Sequence, residues 1–90
     1  EIPKSYSLSQ NYPNPFNPVT SINFAIPKQG FVSLKIFDIL GREISTLVNE
    51  VKNPGYYMVD FDATNFGSGV YFYKITSNDF TDVKRMILIK

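Results

Sequence analysis

Residues 20–38 read TSINFAIPKQGFVSLKIFD. Ile22, Phe24 and Ile26 fall on one side of the first run, with Ser21, Asn23 and Ala25 opposite. In the second run Val32, Leu34 and Ile36 share a side, with Ser33 and Lys35 opposite. A period of two is what a pleated backbone produces, because successive side chains point to opposite faces of a sheet. The break between the runs, Pro27 to Gly30, has turn chemistry. Two half-buried strands joined by a short connection are therefore expected here.

The same pattern continues toward the carboxy terminus. DILGRE, residues 38–43, is a reversal in which Gly41 supplies a positive φ that a β-branched residue would resist. EISTLV is expected to form a shorter strand, followed by a polar loop, NEVKNPG, closed by Pro54 and Gly55. YYMVDFDA alternates again, with Tyr57, Val59 and Phe61 inward and Met58, Asp60 and Asp62 outward. TNFGSG is a loop, VYFYKITS a strand with Tyr71, Tyr73 and Ile75 on one face, SNDF a turn and TDVKRMILIK the final strand. No helical periodicity and no internal repeat are present. Six or seven short strands with turns about every 8–12 residues predict an all-β fold, an immunoglobulin-like Greek-key antiparallel β-sandwich of about seven strands. A small barrel is the alternative.

Toward the amino terminus lies YPNPFNP, residues 12–18. Its prolines cannot donate to a ladder, so an extended, polyproline-like lead-in or edge is expected, anchored by Tyr12 and Phe16. The expected division is a Pro/Asn-rich lead-in over residues 1–19, packed on a sandwich of residues 20–90. Pro15 and Pro18 have the Pro-x-x-Pro spacing of ligands for aromatic-groove modules, but no basic residue flanks them.

Ninety residues make one domain that must bury its apolar surface efficiently. The material is there: 43% of residues are hydrophobic, with eight Phe and six Tyr. There is no cysteine, so disulfides and thiolate metal sites are excluded, and aromatic packing must replace the disulfide pin of antibody domains. There is no histidine, the commonest general base and transition-metal ligand. A net charge of +1 spread along the chain is not a nucleic-acid footprint. No apolar run reaches membrane-spanning length. The chain opens EIPKSYSLSQ without an initiator Met, so an excised or processed piece is expected, with any export signal upstream.

Constellations for chemistry are sparse. Ser68 lies between two glycines, but without histidine there is no ordinary triad. Asp60 and Asp62 share a strand face that Asp38 could approach, as in a calcium or acid–base site; a solvated face that discourages edge pairing explains them more simply. Tyr56, Phe31, Phe37 and Phe72 fall opposite the expected core, where a row of rings could form a sugar-binding platform or cover edges and loops. Lys84, Arg85 and Lys90 punctuate the last strand, which could stay solvated or join a partner by edge addition.

The order LSQNYPNPFNP, INFAIP, VSLKIFDILGREISTLV, PGYYMVDFDA, SGVYFYKI, KRMILIK resembles, over residues 8–90, the type A carboxy-terminal sorting domain of the type IX secretion system. It is also similar to the immunoglobulin-like domain of flagellar hook-capping proteins. The resemblance implies a non-enzymatic, cofactor-free export signal, secreted through the periplasm to the cell surface. Its partners would be a covalently attached upstream cargo, an outer-membrane secretion translocon and a sortase-like peptidase that removes the domain; in some members the cargo is joined to a surface lipopolysaccharide. By position, the family's recurring elements fall on Pro13, Asn14 and Pro15, on Gly41 and Arg42, on Gly69 and Tyr71, and on Lys84 and Lys90. Two other functions stay open: a structural module that self-associates as a homo-oligomer in a surface assembly, and a carbohydrate-binding module of a secreted hydrolase.

Overall fold

The two alternating runs around Pro27–Gly30 form adjacent strands in sequence that belong to different sheets. The computed structural model describes residues 1–90, which form β1 (Ser7–Leu8), β2 (Val19–Ile26), β3 (Gly30–Phe37), β4 (Glu43–Lys52), β5 (Gly55–Asp62), β6 (Gly69–Ser77) and β7 (Phe80–Leu88). The seven strands pair antiparallel throughout, in a three-stranded sheet ordered β1-β2-β5 and a four-stranded sheet ordered β4-β3-β6-β7. The chain crosses between sheets after β2, β4 and β5, which gives the expected immunoglobulin-like sandwich.

The period-two faces read for β2, β3, β5 and β6 are realised: Ile22, Phe24, Ile26, Val32, Leu34, Ile36, Phe61, Tyr71, Tyr73 and Ile75 are buried in one cluster between the sheets, with Tyr57 and Val59 partly buried against it. Met86 and Leu88 of β7 complete the cluster. Aromatic contacts tie the layers together, with Phe24 stacked on Tyr57 at 5.3 Å and Phe16 tilted on Phe61 at 6.2 Å. Rings of this size bury the most area per ordered residue, which suits a domain of ninety residues.

Four local expectations are corrected. β4 is not a short strand followed by a loop: Asn49 to Lys52 continue the ladder with Ser33, Val32, Phe31 and Gly30. All but Val51 are polar because they lie on a sheet edge, where composition mimics a loop. Ala25 is buried although it faces away from the core, because residues 1–5 fold over it beside Tyr56. β1 was not anticipated; two residues are too few to show a period.

The fourth correction concerns YPNPFNP, which is not a straight lead-in. Tyr12 bridges to Ser21 on one sheet, and Phe16 bridges to Leu88 on the other. The segment thus crosses from the β2 edge to the β7 edge and returns to start β2. Phe16 anchors it at 2% exposure, whereas the Tyr12 side chain is 80% exposed and anchors nothing. Its three X–Pro peptide bonds are cis. Residues 9–16 close the β1/β7 side of the sandwich, leaving β4 and β5 as outer strands of the opposite side.

Candidate functional site

Antiparallel order places the Asp38–Arg42 turn, the Ala63–Ser68 loop, the Pro13–Pro18 crossing and Ile89–Lys90 at one end of a molecule 37 Å long. This end is called the pole. Pro13, Asn14, Pro15, Gly41, Arg42, Gly69, Tyr71 and Lys90 are all brought to it. Lys84 is not: it lies mid-strand opposite Tyr73, with its ammonium 3.9 Å from the Asp82 carboxylate.

The Asp38–Arg42 turn is held by five hydrogen bonds. Asp38 Oδ1 accepts the Leu40 and Arg42 amides, each at 2.9 Å, and Oδ2 accepts Arg42 Nε at 2.7 Å. The Gly41 amide donates to the Asp38 carbonyl and the Asp38 amide to the Arg42 carbonyl, both at 2.9 Å. Gly41 has φ 83°, in the left-handed region that favours glycine. The Arg42 backbone N–H is the chief reason the Asp38 carboxyl is held below its ordinary pKa; desolvation opposes it, and the Arg42 side chain and Leu40 amide reinforce it. The turn thus presents Ile39 and Leu40, 71% and 74% exposed, on a fixed backbone.

The proline segment is organised by polar groups that are themselves buried. Asn11 Nδ2 donates to Thr20 Oγ1 at 3.0 Å and to the Pro13 carbonyl at 3.2 Å, and Thr20 Oγ1 donates to that same carbonyl at 2.8 Å. Asn14 Oδ1 accepts the Ile87 amide at 3.0 Å. The Phe16 amide donates to the Ile87 carbonyl and the Ile89 amide to the Phe16 carbonyl, both at 3.0 Å. These bonds occupy the outer edge of β7 at its end, so edge addition there is blocked by the chain's own segment. Pro15 is exposed at the apex.

Tyr71 is buried, and its hydroxyl donates to the Gly67 carbonyl at 2.6 Å, pinning the loop over the sheet. Phe66 fills the space between Phe61 and Tyr71, at 5.9 and 6.3 Å. The Lys90 amide donates to Ser68 Oγ at 3.0 Å, and its ammonium reaches the Thr64 carbonyl. Tyr71 therefore shapes the pole from within, and Asn14, Pro15, Arg42, Gly69 and Lys90 lie on its surface.

Asp38 does not approach Asp60 and Asp62. Asp60 accepts from the Ser21 hydroxyl at 2.7 Å, and Asp62 from the Thr64 amide and hydroxyl. No group of three His, Cys, Asp or Glu side chains is placed to hold a metal ion. The outward aromatics do not form one platform. Tyr56 stands on the three-stranded sheet, beside a hollow of about 440 Å³ lined by Ser7, Ser9, Asn23 and Met58. Phe31, Phe37 and Phe72 stand on the other sheet, with Phe31 toward its far end.

Asn11 and Thr20 were missed as organising residues, since a buried amide and a solvated one occupy the same place in an alternating pattern. The clue was Asn11 immediately before a proline-rich segment that has few amides of its own. Residues 10–90 match the family model described as the secretion system C-terminal sorting domain. No curated protein matches the chain.

Proposed function

The chain belongs to the secretion system C-terminal sorting domain family of the type IX system, and from that premise we propose that it directs an attached upstream cargo across the outer membrane. It acts by binding the outer-membrane translocon rather than by catalysis, and a sortase-like peptidase then separates it from the cargo at the cell surface. The observation that carries this reading is the pole. The proline crossing, the Asp38–Arg42 turn and Lys90 converge there, while Ile2 to Ser5 lie against Ala25 and Tyr56 at the opposite end. A cargo joined ahead of Glu1 leaves the pole unobstructed for a receptor.

The test is a reporter with its own amino-terminal export signal and residues 1–90 at its carboxy end, expressed in a type IX-competent bacterium. Appearance in the medium or on the surface, lost in a translocon-deficient strain, is the expected result. Mass spectrometry of the released reporter then reads whether and where the domain is cut. A reporter retained in the periplasm of both strains overturns the proposal.

A further inference from the structure

The outer face of the four-stranded sheet, from mid-strand to the pole, is both apolar and positively charged. Lys35, Phe37, Phe72, Lys74, Val83 and Arg85 alternate with buried residues on β3, β6 and β7, so their side chains share that face. Phe37 lies directly opposite Phe72, which lies opposite Arg85; Lys35 lies directly opposite Lys74. Like charges directly across an antiparallel pair are destabilising, so a sheet carries them at a cost. One carboxylate relieves the face, Glu43, 3.3 Å from the Lys35 ammonium. Lys74 and Arg85 take part in none of the four ion pairs. Just beyond Phe37, the rigid turn holds Ile39 and Leu40 out in solvent, and the terminal nitrogens of Arg42 make no bond within the chain.

We propose that this face is a docking surface for a protein with an acidic rim around an apolar hollow. Ile39 and Leu40 enter the hollow, and Lys74, Arg85 and the free end of Arg42 meet carboxylates around it. The inference rests on the function proposed above, which makes an outer-membrane component of the translocon the partner, and it locates the contact. Charge complementarity selects an acidic surface, and the aliphatic pair selects a protein over an anionic polymer, which offers no hollow to fill. A second copy fits less well, because the hollow on its three-stranded sheet is lined by Ser7, Ser9, Asn23, Phe24, Tyr56, Tyr57 and Met58, with no carboxylate at its rim. Because five hydrogen bonds fix the turn beforehand, little ordering entropy opposes insertion.

The proposal is tested with the same reporter bearing Ile39→Ser with Leu40→Ser, or Lys74→Glu with Arg85→Glu. Each pair is expected to lower secreted reporter about tenfold or more, as loss of central contacts does, without changing the melting temperature of the isolated chain. The conservative pair Lys74→Arg with Arg85→Lys is expected to secrete normally. A photo-crosslinking amino acid at position 40 is expected to capture a translocon component, while one at position 56 does not. Normal secretion of both variant pairs alongside a secreted wild type overturns this inference and leaves the proposed function standing. Failure of the wild-type reporter itself overturns the proposed function, and this inference with it. A crosslink from position 40 to a second copy, with a dimer in light scattering, or flotation with phosphatidylglycerol vesicles, overturns the choice of partner.

Discussion

The backbone amide of Asn11 donates to the phenolic oxygen of Tyr73 at 2.8 Å, and the same hydroxyl donates to the Ser9 carbonyl at 2.7 Å. One buried side chain from the centre of the four-stranded sheet thereby satisfies two backbone groups of the amino-terminal segment. Tyr73→Phe leaves both groups without a partner at little change in packing. Destabilisation of about 1–3 kcal/mol is expected, and a fall in Tm of the order of 10 °C for a domain of this size. Thermal unfolding by circular dichroism reads it; an unchanged Tm would show that the Asn11–Tyr73 bond contributes nothing net.

The same hydroxyl makes stability depend on alkaline pH. Burial, chiefly, pushes the Tyr73 pKa from 10.0 up to about 12. The folded state therefore holds its phenolic proton after the unfolded chain has lost it. The sign follows from linkage: stabilisation is complete below pH 10 and is lost as pH rises through 12, by about 2–3 kcal/mol. Urea unfolding across this window should show a steeper loss in the wild type than in Tyr73→Phe. Parallel curves would contradict the assignment to Tyr73.

Within YPNPFNP the two aromatics have opposite fates. Phe16→Ala removes a ring packed on Phe61 and the anchor of the crossing segment, and should cost about 3–5 kcal/mol. Tyr12→Ala should change stability by less than about 0.5 kcal/mol, because the side chain stands in solvent and its bridge to Ser21 uses backbone atoms. Comparable losses for both would mean that the segment is held by its side chains throughout.

These contrasts show where the sequence was legible. Wherever both faces of a strand were sampled by four or more residues, as in β2, β3, β5 and β6, the period gave the buried face correctly. It failed where the physics was not periodic. The polar end of β4 looked like a loop because an edge strand needs few apolar residues, and Ala25 looked exposed because its cover comes from residues 1–5. The pole was half visible. Gly41 could be read from its turn, but the partners of Arg42 and Asn14 could not, since Asp38 and Ile87 become neighbours only through local turn geometry and tertiary crossing. Asn11, Thr20 and the Tyr73 hydroxyl were illegible for the same reason: a buried polar network depends on who meets whom in space.

The Asp38–Arg42 turn supports two tests. An added Cβ at Gly41 meets no atom within 4 Å, so Gly41→Ala isolates the backbone cost of φ 83°, expected at about 1–2 kcal/mol. Acid should act on the same turn. Because the Asp38 pKa is lowered, chiefly by the Arg42 amide, its contribution is present above pH 3.8 and lost as pH falls through the folded-state value. The Leu40 and Arg42 amide resonances should keep their high-pH positions down to below pH 3.8 and shift only as Asp38 protonates. Movement beginning well above that pH would show that the carboxylate does not hold the turn.

Ser77 closes β6 in a place where its hydroxyl has no use. The residue is fully buried between Val32 and Phe80, and Oγ has no hydrogen-bond partner. A hydroxyl stripped of water and given nothing in return is unfavourable, whereas the methyl of alanine loses only one oxygen's worth of packing. Ser77→Ala is therefore expected to leave stability unchanged or raise it by about 1 kcal/mol. Denaturant unfolding measures the difference. A loss of more than about 1 kcal/mol would mean that Oγ is satisfied after all, by an ordered water reaching the turn at Asn78.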